Sequence, residues 1–584
     1  MLAPRTRGAF VPIAIGLFAL ISGCKSGTEP THSLCNSSNP VTLAVGEVRP
    51  AISGGCVFLS ASSAGEYALV PFNGDFGFAN KATVSFTTSG VSTVTTPLQS
   101  RTLAMAPMFN ALPSANSTTL LAPATDFDAS LRESERRVLT ALIPAARAWY
   151  KSRFTSGASG TGLRPSFSTT SSAVLVGDTI TLNTQTGGTL AAACTTATLR
   201  QGRVAAISNT AIVVDDINNP TGGYTDADYI TIATQFDSVY TMDVTAFGTP
   251  SDVDNNGKAI LFFTRAVNEL TPTGSQSVVG GFFYGRDLFP KQDSPQLGTG
   301  SGCPSSNVAE MFYLLVPDPN GVVNGNVRTK NFVSHLTVST TAHEFQHLIN
   351  ASRRLYVNTA ATDFEVVWLN EGLSHVAEEL LFYQQSAGLT PRLDIDSTRF
   401  IGNQKNVDAY NFDQQSNFGR FRSYLLKPAT NSPYANNDSL ATRGATWSFL
   451  RYAADHRGTS DSDTWFKLVN STTTGIANLQ NVFGTGLASI LRDWAVATIA
   501  DDLTGVNNQW QHPSWNFRSV YTFLPSVKSY PLATVTVGDG SPLSVTLNGG
   551  SAAYVRFGVA AAQTGSVKWD TPSTALVMSI VRLK

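Results

Sequence analysis

The sequence TTAHEFQHLIN, residues 340–350, decides how the middle of this chain folds. It places two histidines, His343 and His347, four positions apart, with Glu344 next to the first. Side chains four positions apart lie on one face of a helix, so both imidazoles can reach one metal ion. The neighbouring residues are small or apolar and uncharged, which favours a buried helix. Because buried imidazoles need polar partners, the pattern predicts a metal site.

A second run, WLNEGLSHVAEE at 368–379, contains an acidic residue that can complete such a site. Zinc hydrolases need a third protein ligand, and Glu371 lies 24 residues after His347. Asn370 is a good helix N-cap, so we predict a helix that begins there and carries Glu371 in its first turn. The alternative is that Glu371 only stabilises the helix dipole.

Together the two motifs resemble those of the gluzincin metallopeptidases, and most closely those of the hyicolysin family. The resemblance covers three stretches, closest in the first: 330–385, 225–330 and 440–503. It implies that His343, His347 and Glu371 hold one catalytic Zn²⁺ ion. It also implies that Glu344 is the general base of peptide-bond hydrolysis.

Relatives of aminopeptidase N contain a similar Asn-Glu-Gly run, but this chain lacks their Gly-x-Met-Glu-Asn box, which argues against an aminopeptidase. Their oxyanion-stabilising tyrosine has no counterpart in the run 441–444, so the sequence leaves this role open. Four residues are candidates for it or for supporting the ligands, with a core role as the alternative for each: His375, Tyr434, Tyr452 and His456. Ser374 and Glu378 also lie within helical reach of the zinc imidazoles.

The run DVDNNG at 252–257 imitates the start of a calcium loop, because oxygen-bearing side chains alternate before a glycine. However, the twelfth position of the loop is Phe263 and not the acid of an EF-hand. We therefore predict a tight turn between strands, with Ca²⁺ binding as the alternative.

The N-terminus resembles a bacterial lipoprotein signal. Basic residues precede an apolar run, 9–21, that is too short to cross a bilayer of about 30 Å and that leads into Ile-Ser-Gly-Cys at 21–24. We predict a signal peptide over 1–23, lipidation of Cys24, and a tether over 24–40. This makes a membrane a partner and places the protein at the bacterial cell envelope, in the outer membrane if there is one. An ordinary signal peptide with an accidental cysteine is the alternative.

The other four cysteines form an even set in an oxidising compartment, where three disulfide connectivities are possible. Proximity in the sequence favours Cys35 with Cys56. That pairing leaves Cys194 with Cys303.

The order of strand and helix patterns predicts an α+β fold. The zinc peptidase domain is assigned to 169–519, with a β-rich N-terminal part and a helical C-terminal part. Helical spacing within it covers four stretches: 332–353, 366–386, 441–456 and 485–500. Small β-sandwich-like domains flank it at 41–123 and 520–584, and a linking helix and linker occupy 124–168.

Charge excludes some classes of partner. Lysine and arginine number 40 and aspartate and glutamate 41, so no net field attracts nucleic acid. In the linking helix Arg132, Arg136 and Arg137 alternate with Glu133 and Glu135, which predicts a solvated face.

Two functions stay open at this point. The first is a zinc-dependent endopeptidase that cleaves proteins or peptides at the cell surface or outside the cell, with an exopeptidase of the same type as a variant. The second is a surface adhesion or carbohydrate-binding lipoprotein with an inactive or incidental peptidase-like core. The β domains and the low charged fraction of 14% fit the second function. The complete set of three ligands and a base favours the first.

Overall fold

The computed structural model describes residues 33–95, 98, 122–123, 125–155, 174–186, 192–275, 277–295, 297–524, 527, 529–570 and 573–584. The predicted signal peptide, Cys24 and the first part of the tether lie outside the described residues. Within these residues no helix combines the length and apolar character that a membrane span requires.

The strands, in chain order, are β1 (Val48–Ile52), β2 (Cys56–Ala61), β3 (Gly65–Asn73), β4 (Ala82–Ser89), β5 (Ala122–Pro123), β6 (Thr179–Asn183), β7 (Leu199–Ile207), β8 (Ala211–Asp216), β9 (Ala259–Phe263), β10 (Ser277–Val278), β11 (Gly281–Phe283), β12 (Met311–Leu314), β13 (Val535–Thr536), β14 (Leu543–Leu547), β15 (Val555–Val559), β16 (Gln563–Trp569) and β17 (Leu576–Arg582).

The α-helices are α1 (Thr125–Ser134), α2 (Ile143–Thr155), α3 (Ala192–Thr195), α4 (Asp226–Phe247), α5 (Arg265–Glu269), α6 (Lys330–Ser352), α7 (Val367–Gln385), α8 (Gln404–Ala409), α9 (Gln415–Leu425), α10 (Leu440–Arg457), α11 (Asp461–Val469), α12 (Gly475–Phe483), α13 (Leu487–Ala500) and α14 (Phe517–Phe523). Wider π-helical turns follow α1, α6 and α8, at Glu135–Leu139, Arg353–Val357 and Tyr410–Gln414.

Strands from both ends of the chain form one β-sandwich. Its two sheets have the strand orders β1-β17-β3-β15-β13 and β14-β4-β16-β2 among the described strands. β3 pairs with β15 and β17, and β4 pairs with β14 and β16, all antiparallel. This corrects the expectation of separate β domains over 41–123 and 520–584. Each end has too few strands to satisfy its own edges, and the other end supplies the missing partners.

The sheet that contains β3 is covered on both faces, which is why every residue of β3 is buried. Tyr67 and Leu69 belong to the core between the two sheets of the sandwich. The alternate residues Ala68, Val70 and Phe72 belong to the core of the central helices. Because side chains alternate across a strand, β3 connects the sandwich directly to the rest of the molecule.

The central part of the chain is built on a mixed sheet with the strand order β11-β12-β9-β8-β7-β6. β8, β9 and β12 run parallel to one another, while β11 is an antiparallel edge strand. All five residues of β9 are buried and apolar, as expected of a strand that is covered on both faces. The mixture of sheets and helices confirms the α+β class.

The four helices predicted in this part exist as α6, α7, α10 and α13, and their ends lie within two residues of the predicted ends. Their apolar periodicity is a local property, so the sequence alone was sufficient to find them.

Two disulfides, Cys35–Cys56 and Cys194–Cys303, confirm the pairing that proximity in the sequence favoured. The first joins the N-terminal segment to β2. The second joins α3 to the loop that precedes β12.

The predicted linking helix is interrupted. α1 passes into the π-turn 135–139 and a 3₁₀ turn, Thr140–Leu142, before α2 begins. Pro144 is the second residue of α2, where the missing N–H of a proline breaks no helical hydrogen bond.

Candidate metal centre

α6 carries two histidines and a glutamate into the core. Every residue of α6 from Thr341 to Ser352 is buried, which agrees with the uncharged neighbourhood in the sequence. The Thr329 side chain accepts a hydrogen bond from the Phe332 N–H and so fixes the start of the helix.

Three side chains converge at one point. His343 Nε2 lies 3.2 Å from His347 Nε2. Glu371 Oε2 is 3.5 Å from His343 Nε2, and Glu371 Oε1 is 3.4 Å from His347 Nε2. Ligand atoms 2.0–2.1 Å from a tetrahedral zinc ion are about 3.3 Å apart. The spacing therefore matches a metal centre.

The chemistry of the donor atoms also fits a metal ion. Nδ1 of His343 is 2.9 Å from Glu378 Oε1, and Nδ1 of His347 is 3.1 Å from Asn370 Oδ1. These acceptors take the Nδ1 protons, so the Nε2 lone pairs point at the centre. Both oxygens of Glu371 are buried, and each faces one imidazole Nε2 and one arginine nitrogen. A metal ion between the two imidazoles would be a further partner for these acceptors.

Two arginines hold Glu371 in its charged form. Arg443 Nη1 is 3.0 Å from Glu371 Oε2, and Arg132 Nε is 3.9 Å from Glu371 Oε1. Burial alone would raise the pKa of Glu371, but the charge of Arg443 and the two histidines lower it well below its usual range.

The two imidazoles differ in their protonation. Burial and the charge of Arg132 lower the pKa of His347 well below its usual range, so this ring is neutral and ready to bind a metal. Burial opposes the charged form of His343 too, but hydrogen bonds to Glu371 and Glu378 raise its pKa to about 10. A metal ion at this centre would displace that proton.

Glu344 is placed to move protons. Its Oε2 accepts a hydrogen bond of 2.7 Å from the backbone N–H of Phe283, on the edge strand β11. Burial raises the pKa of Glu344 to about 7, although His343 and Arg132 act in the opposite direction. A carboxylate with a pKa near neutrality can both take and return a proton.

The start of α7 corrects the predicted cap. The helix begins at Val367, with Val366 as its N-cap, so Asn370 lies inside the helix. The Asn370 side chain instead holds His347 and accepts a hydrogen bond of 3.1 Å from Asn350. Glu371, the candidate ligand, and Asn370, which orients His347, are therefore adjacent in the sequence.

Glu378 links several groups behind the ligands. Its Oε1 is 2.9 Å from His343 Nδ1 and 3.2 Å from His375 Nδ1, and its Oε2 accepts a hydrogen bond of 2.7 Å from Arg420. Ser374 Oγ is 3.1 Å from His347 Nδ1. The structure thus brings all three α7 residues that the sequence placed within helical reach to the imidazoles.

His375 lies behind His343 and does not join the three ligands. The centroids of the two rings are 4.9 Å apart. His375 is fully buried, and its Nε2 has no hydrogen-bond partner among the described residues. Burial and the charge of Arg420 lower its pKa to about 3, so the ring is neutral.

The structure does not bring the other three candidates to the ligands. The Tyr434 hydroxyl donates to the Asp75 carbonyl, at the contact with the sandwich. The hydroxyl of Tyr452 and the Nε2 of His456 bond to backbone carbonyls in the loop before α14, at residues 509 and 511.

Arg132 corrects the prediction of a solvated basic face. It is 5% exposed and donates a hydrogen bond of 2.5 Å to Glu135 and one of 2.7 Å to the Phe283 carbonyl. Arg136 and Arg137 do pair with Glu133 at the surface, as predicted. Alternating charges cannot show which face of a helix packs inward, so the sequence missed Arg132 and Glu135 as residues of the site.

The loop at 252–257 turns back on itself, but it connects α4 to β9 and not two strands as predicted. The N–H groups of Asn256 and Gly257 donate to Asp252, and β9 follows directly. Oxygens of Asp252, Asp254 and Glu310 lie within 4.8 Å of one another. Glu310, which is distant in sequence, thus brings a third carboxylate to the loop.

No protein-family model matches the chain. A curated relative, the neutral metalloprotease ShpI of Staphylococcus hyicus, is 30% identical over 197 residues, which is 33% of this chain and 39% of the relative. The match thus spans about two fifths of that relative's length. Together with the buried His–His–Glu group, this similarity supports a metallopeptidase with a metal cofactor.

Proposed function

We propose that the protein is a zinc-dependent endopeptidase of the gluzincin type, similar to hyicolysin, that hydrolyses peptide bonds of proteins or peptides. The observation that carries the proposal is the convergence of two imidazole nitrogens and one buried carboxylate beside Glu344. Two histidines and one carboxylate beside a glutamate form the donor set that zinc hydrolases of this motif use.

Different residues of the site have different roles in the proposed hydrolysis. When bound, zinc would act as a Lewis acid that polarises the scissile carbonyl. Glu344 takes a proton from the attacking water and returns it to the nitrogen of the leaving amine. Glu378 and Asn370 hold the two imidazoles in the tautomer that leaves Nε2 free for the metal.

The position of the edge strand β11 favours an endopeptidase, which cleaves within a substrate chain. The Phe283 backbone bonds to Glu344, so a peptide that adds to β11 as a further strand would pass beside the base. Such pairing uses the backbone of the substrate and needs neither of its ends.

We also propose that a lipid on Cys24 anchors the protein to the bacterial cell envelope, in the outer membrane if there is one, facing the periplasm or the exterior. The support is the signal sequence together with two disulfides, which form in oxidising compartments. Globomycin treatment of expressing cells, which blocks removal of lipoprotein signals, should leave the precursor uncut. A Cys24→Ala variant should be released from membranes.

The central test compares wild type with Glu344→Gln. Elemental analysis should find about one zinc per chain in both proteins. Wild type should cleave casein and a peptide blocked at both ends, and the variant should lose about 10²–10⁴-fold in kcat/KM.

Three results would count against parts of this proposal. Protein without zinc, or equal cleavage by both variants, would favour the adhesion or carbohydrate-binding function. Cleavage of free-ended peptides alone would indicate an exopeptidase. Calcium in the same elemental analysis would indicate that the loop with Asp252 and Asp254 binds Ca²⁺.

A further inference from the structure

The candidate metal centre is closed by a helical segment of the same chain. Glu371 and His347 are each 1% exposed, and Glu344 is 6% exposed. This burial includes the contribution of a helical segment that contacts Glu371 and the backbone of β11. The covering element is α1 with its π-turn, residues 125–139, which we term the cover.

The cover occupies the outward side of the edge strand β11. The Leu315 N–H donates to the Gly280 carbonyl, so Gly280 and Phe282 direct their backbone groups toward β12. In an antiparallel pair the next residue, Phe283, then directs its backbone groups away from β12, and Gly285 begins the 3₁₀ turn that follows the strand. These outward groups are the ones that an added substrate strand would use.

Two side chains of the cover already bond to these groups. Arg132 Nη2 donates a hydrogen bond of 2.7 Å to the Phe283 carbonyl. The Gly285 N–H donates one of 2.5 Å to Glu135 Oε1. One donor and one acceptor from the cover thus take the positions of a substrate backbone N–H and C=O.

The cover also engages the residues around Glu371. Arg132 Nε is 3.9 Å from Glu371 Oε1. Asp128 Oδ2 is 3.3 Å from Nη2 of Arg443, the arginine that contacts Glu371 through its other terminal nitrogen. Asp128 therefore contacts a guanidinium that Asp438 also holds, at 2.7 Å from the same nitrogen.

These contacts come from one face of the cover. Asp128, Arg132 and Glu135 are spaced by four and three residues, which places them on a single helical stripe. On the outer face, Arg137 is 64% exposed in its side chain and pairs with Glu133. The inward charges complement the site, while the outward ones contact solvent.

The continuation of the segment is held separately. Arg147 of α2 donates to the carbonyls of Leu355, Arg354 and Ala361, and the ring of Tyr150 stacks on Tyr356 at 4.3 Å. The π-turn at the end of the cover and the 3₁₀ turn 140–142 connect α1 to α2, and neither has α-helical hydrogen bonding. Such irregular turns are where helices bend.

The cover is not part of a detachable N-terminal extension. Residues 33–95 precede it and supply β1 to β4, which pair with strands from the C-terminal end. Removal of everything before the central domain would destroy the sandwich. Access to the site thus needs movement of an internal helix.

We propose that the cover is an internal inhibitor of the peptidase, which binds the outward side of β11 in place of a substrate and opens about the 3₁₀ turn 140–142 while α2 stays docked. This inference rests on the proposed function. When the cover moves away, the Phe283 carbonyl loses Arg132, the Gly285 N–H loses Glu135, and both become available to the backbone of a peptide.

The test uses the full chain and compares Arg132→Ala/Glu135→Ala, Asp128→Asn and the control Arg137→Ala. The double variant removes both members of a buried pair, so no lone charge is left behind. Its kcat/KM for a blocked, internally quenched peptide should rise at least about tenfold, and Asp128→Asn should give a smaller rise. Hydrogen exchange of the Gly285 amide should accelerate about tenfold in Asp128→Asn, which keeps Glu135 as the acceptor of that N–H. Arg137→Ala should stay within twofold of wild type in both measurements.

The two measurements separate this inference from the proposed function. If wild type and all variants bind no zinc and cleave nothing, the proposed function fails, and faster exchange of the Gly285 amide in Asp128→Asn still supports the cover. Unchanged exchange and unchanged or lower kcat/KM, in variants that retain zinc, would show that the cover is a fixed part of the fold. If the double variant does not fold, Asp128→Asn decides in the same way.

Discussion

At the scale of single residues, Glu378 is the group on which the order of the metal centre depends most. One of its oxygens faces both His343 and His375, and the other is held by Arg420. Partners of this kind set the orientation and basicity of metal-bound imidazoles.

Replacement of Glu378 by glutamine should therefore weaken metal binding by about 10–100-fold. An amide has one acceptor oxygen and cannot serve the imidazoles and Arg420 together. Competition for zinc with a chromophoric chelator measures the change. Gln384→Ala, at an exposed position of the same helix, is the control and should retain the wild-type affinity. Equal affinities in both variants would remove Glu378 from the positioning role.

A neighbouring carboxyl group, Glu379, should make stability depend on pH. It is fully buried and accepts a hydrogen bond of 2.6 Å from Trp515. Burial raises its pKa to about 7, despite the charge of Arg451. Between about pH 5 and 7 the folded protein keeps a proton that the unfolded chain releases, so stability falls as the pH rises.

Glu379→Gln lacks this titration. Its free energy of unfolding relative to wild type should increase from pH 5 to pH 8, by at most about 1.4 kcal/mol per pH unit. Urea unfolding of both proteins at several pH values measures the difference. A difference that does not vary with pH would show that Glu379 titrates normally.

The grouping of His343, Glu344, His347 and Glu371 could be predicted from the sequence because their spacing is local. The first three lie within five residues on α6, and Glu371 belongs to one short run on α7. The contacts of Arg443 and Arg132 with Glu371 could not be predicted. Their roles depend on which distant elements pack against Glu371, and nothing near either arginine in the sequence reports that contact.

At the scale of elements, the packing of α9 on α10 supports the metal centre from behind. α9 carries Arg420, which holds Glu378. At Gly444 of α10 the two helices approach so closely that a Cβ atom would lie 2.2 Å from the Arg420 backbone carbon. Only glycine permits this approach.

Gly444→Ala should push α9 away and lower the free energy of unfolding by about 1–3 kcal/mol or more. It should also weaken zinc binding, because Arg420 would move with α9. Gly486→Ala is the matched control, since a Cβ atom there meets nothing within 4 Å. Denaturant unfolding and zinc competition on both variants test the two effects. Normal zinc affinity in a destabilised Gly444→Ala protein would separate α9 from the metal centre.

The ends of α6, α7, α10 and α13 followed from apolar periodicity and could be predicted closely. The cap of α7 could not, because Asn370 satisfies the usual preference for an N-cap and yet serves His347 instead. Where a side chain suits two roles, here helix capping and orienting an imidazole, the tertiary structure determines which one it takes.

At the scale of the whole molecule, the sandwich and the central helices share β3. Phe72 packs in the core of the helices, while Leu69 packs inside the sandwich. We therefore expect the two parts to unfold together in a single calorimetric transition.

Phe72→Ala should lower the temperature of this entire transition, because truncation of a buried phenylalanine costs about 3–5 kcal/mol. Thr87→Ala, at an exposed position of β4, is the control and should leave the temperature unchanged. Two separate transitions, with only one shifted by Phe72→Ala, would show that the parts are independent.

The pairing between the two ends of the chain could not be predicted from the sequence. Alternation of polar and apolar residues identified strands in both ends, but it contains no information about which strand each will meet. The ion pair of Glu66 with Arg556 joins positions 490 residues apart.

That separation has a consequence for how the protein is made. β1 to β4 are synthesised first, but the strands that cover them lie in the last fifty residues, 535–584. The central domain must therefore be synthesised while β3 still lacks its partner strands and exposes its apolar side chains. A truncated chain keeps this exposed apolar surface and remains a substrate for chaperones and proteases. Only the complete polypeptide can bury the surface and escape quality control.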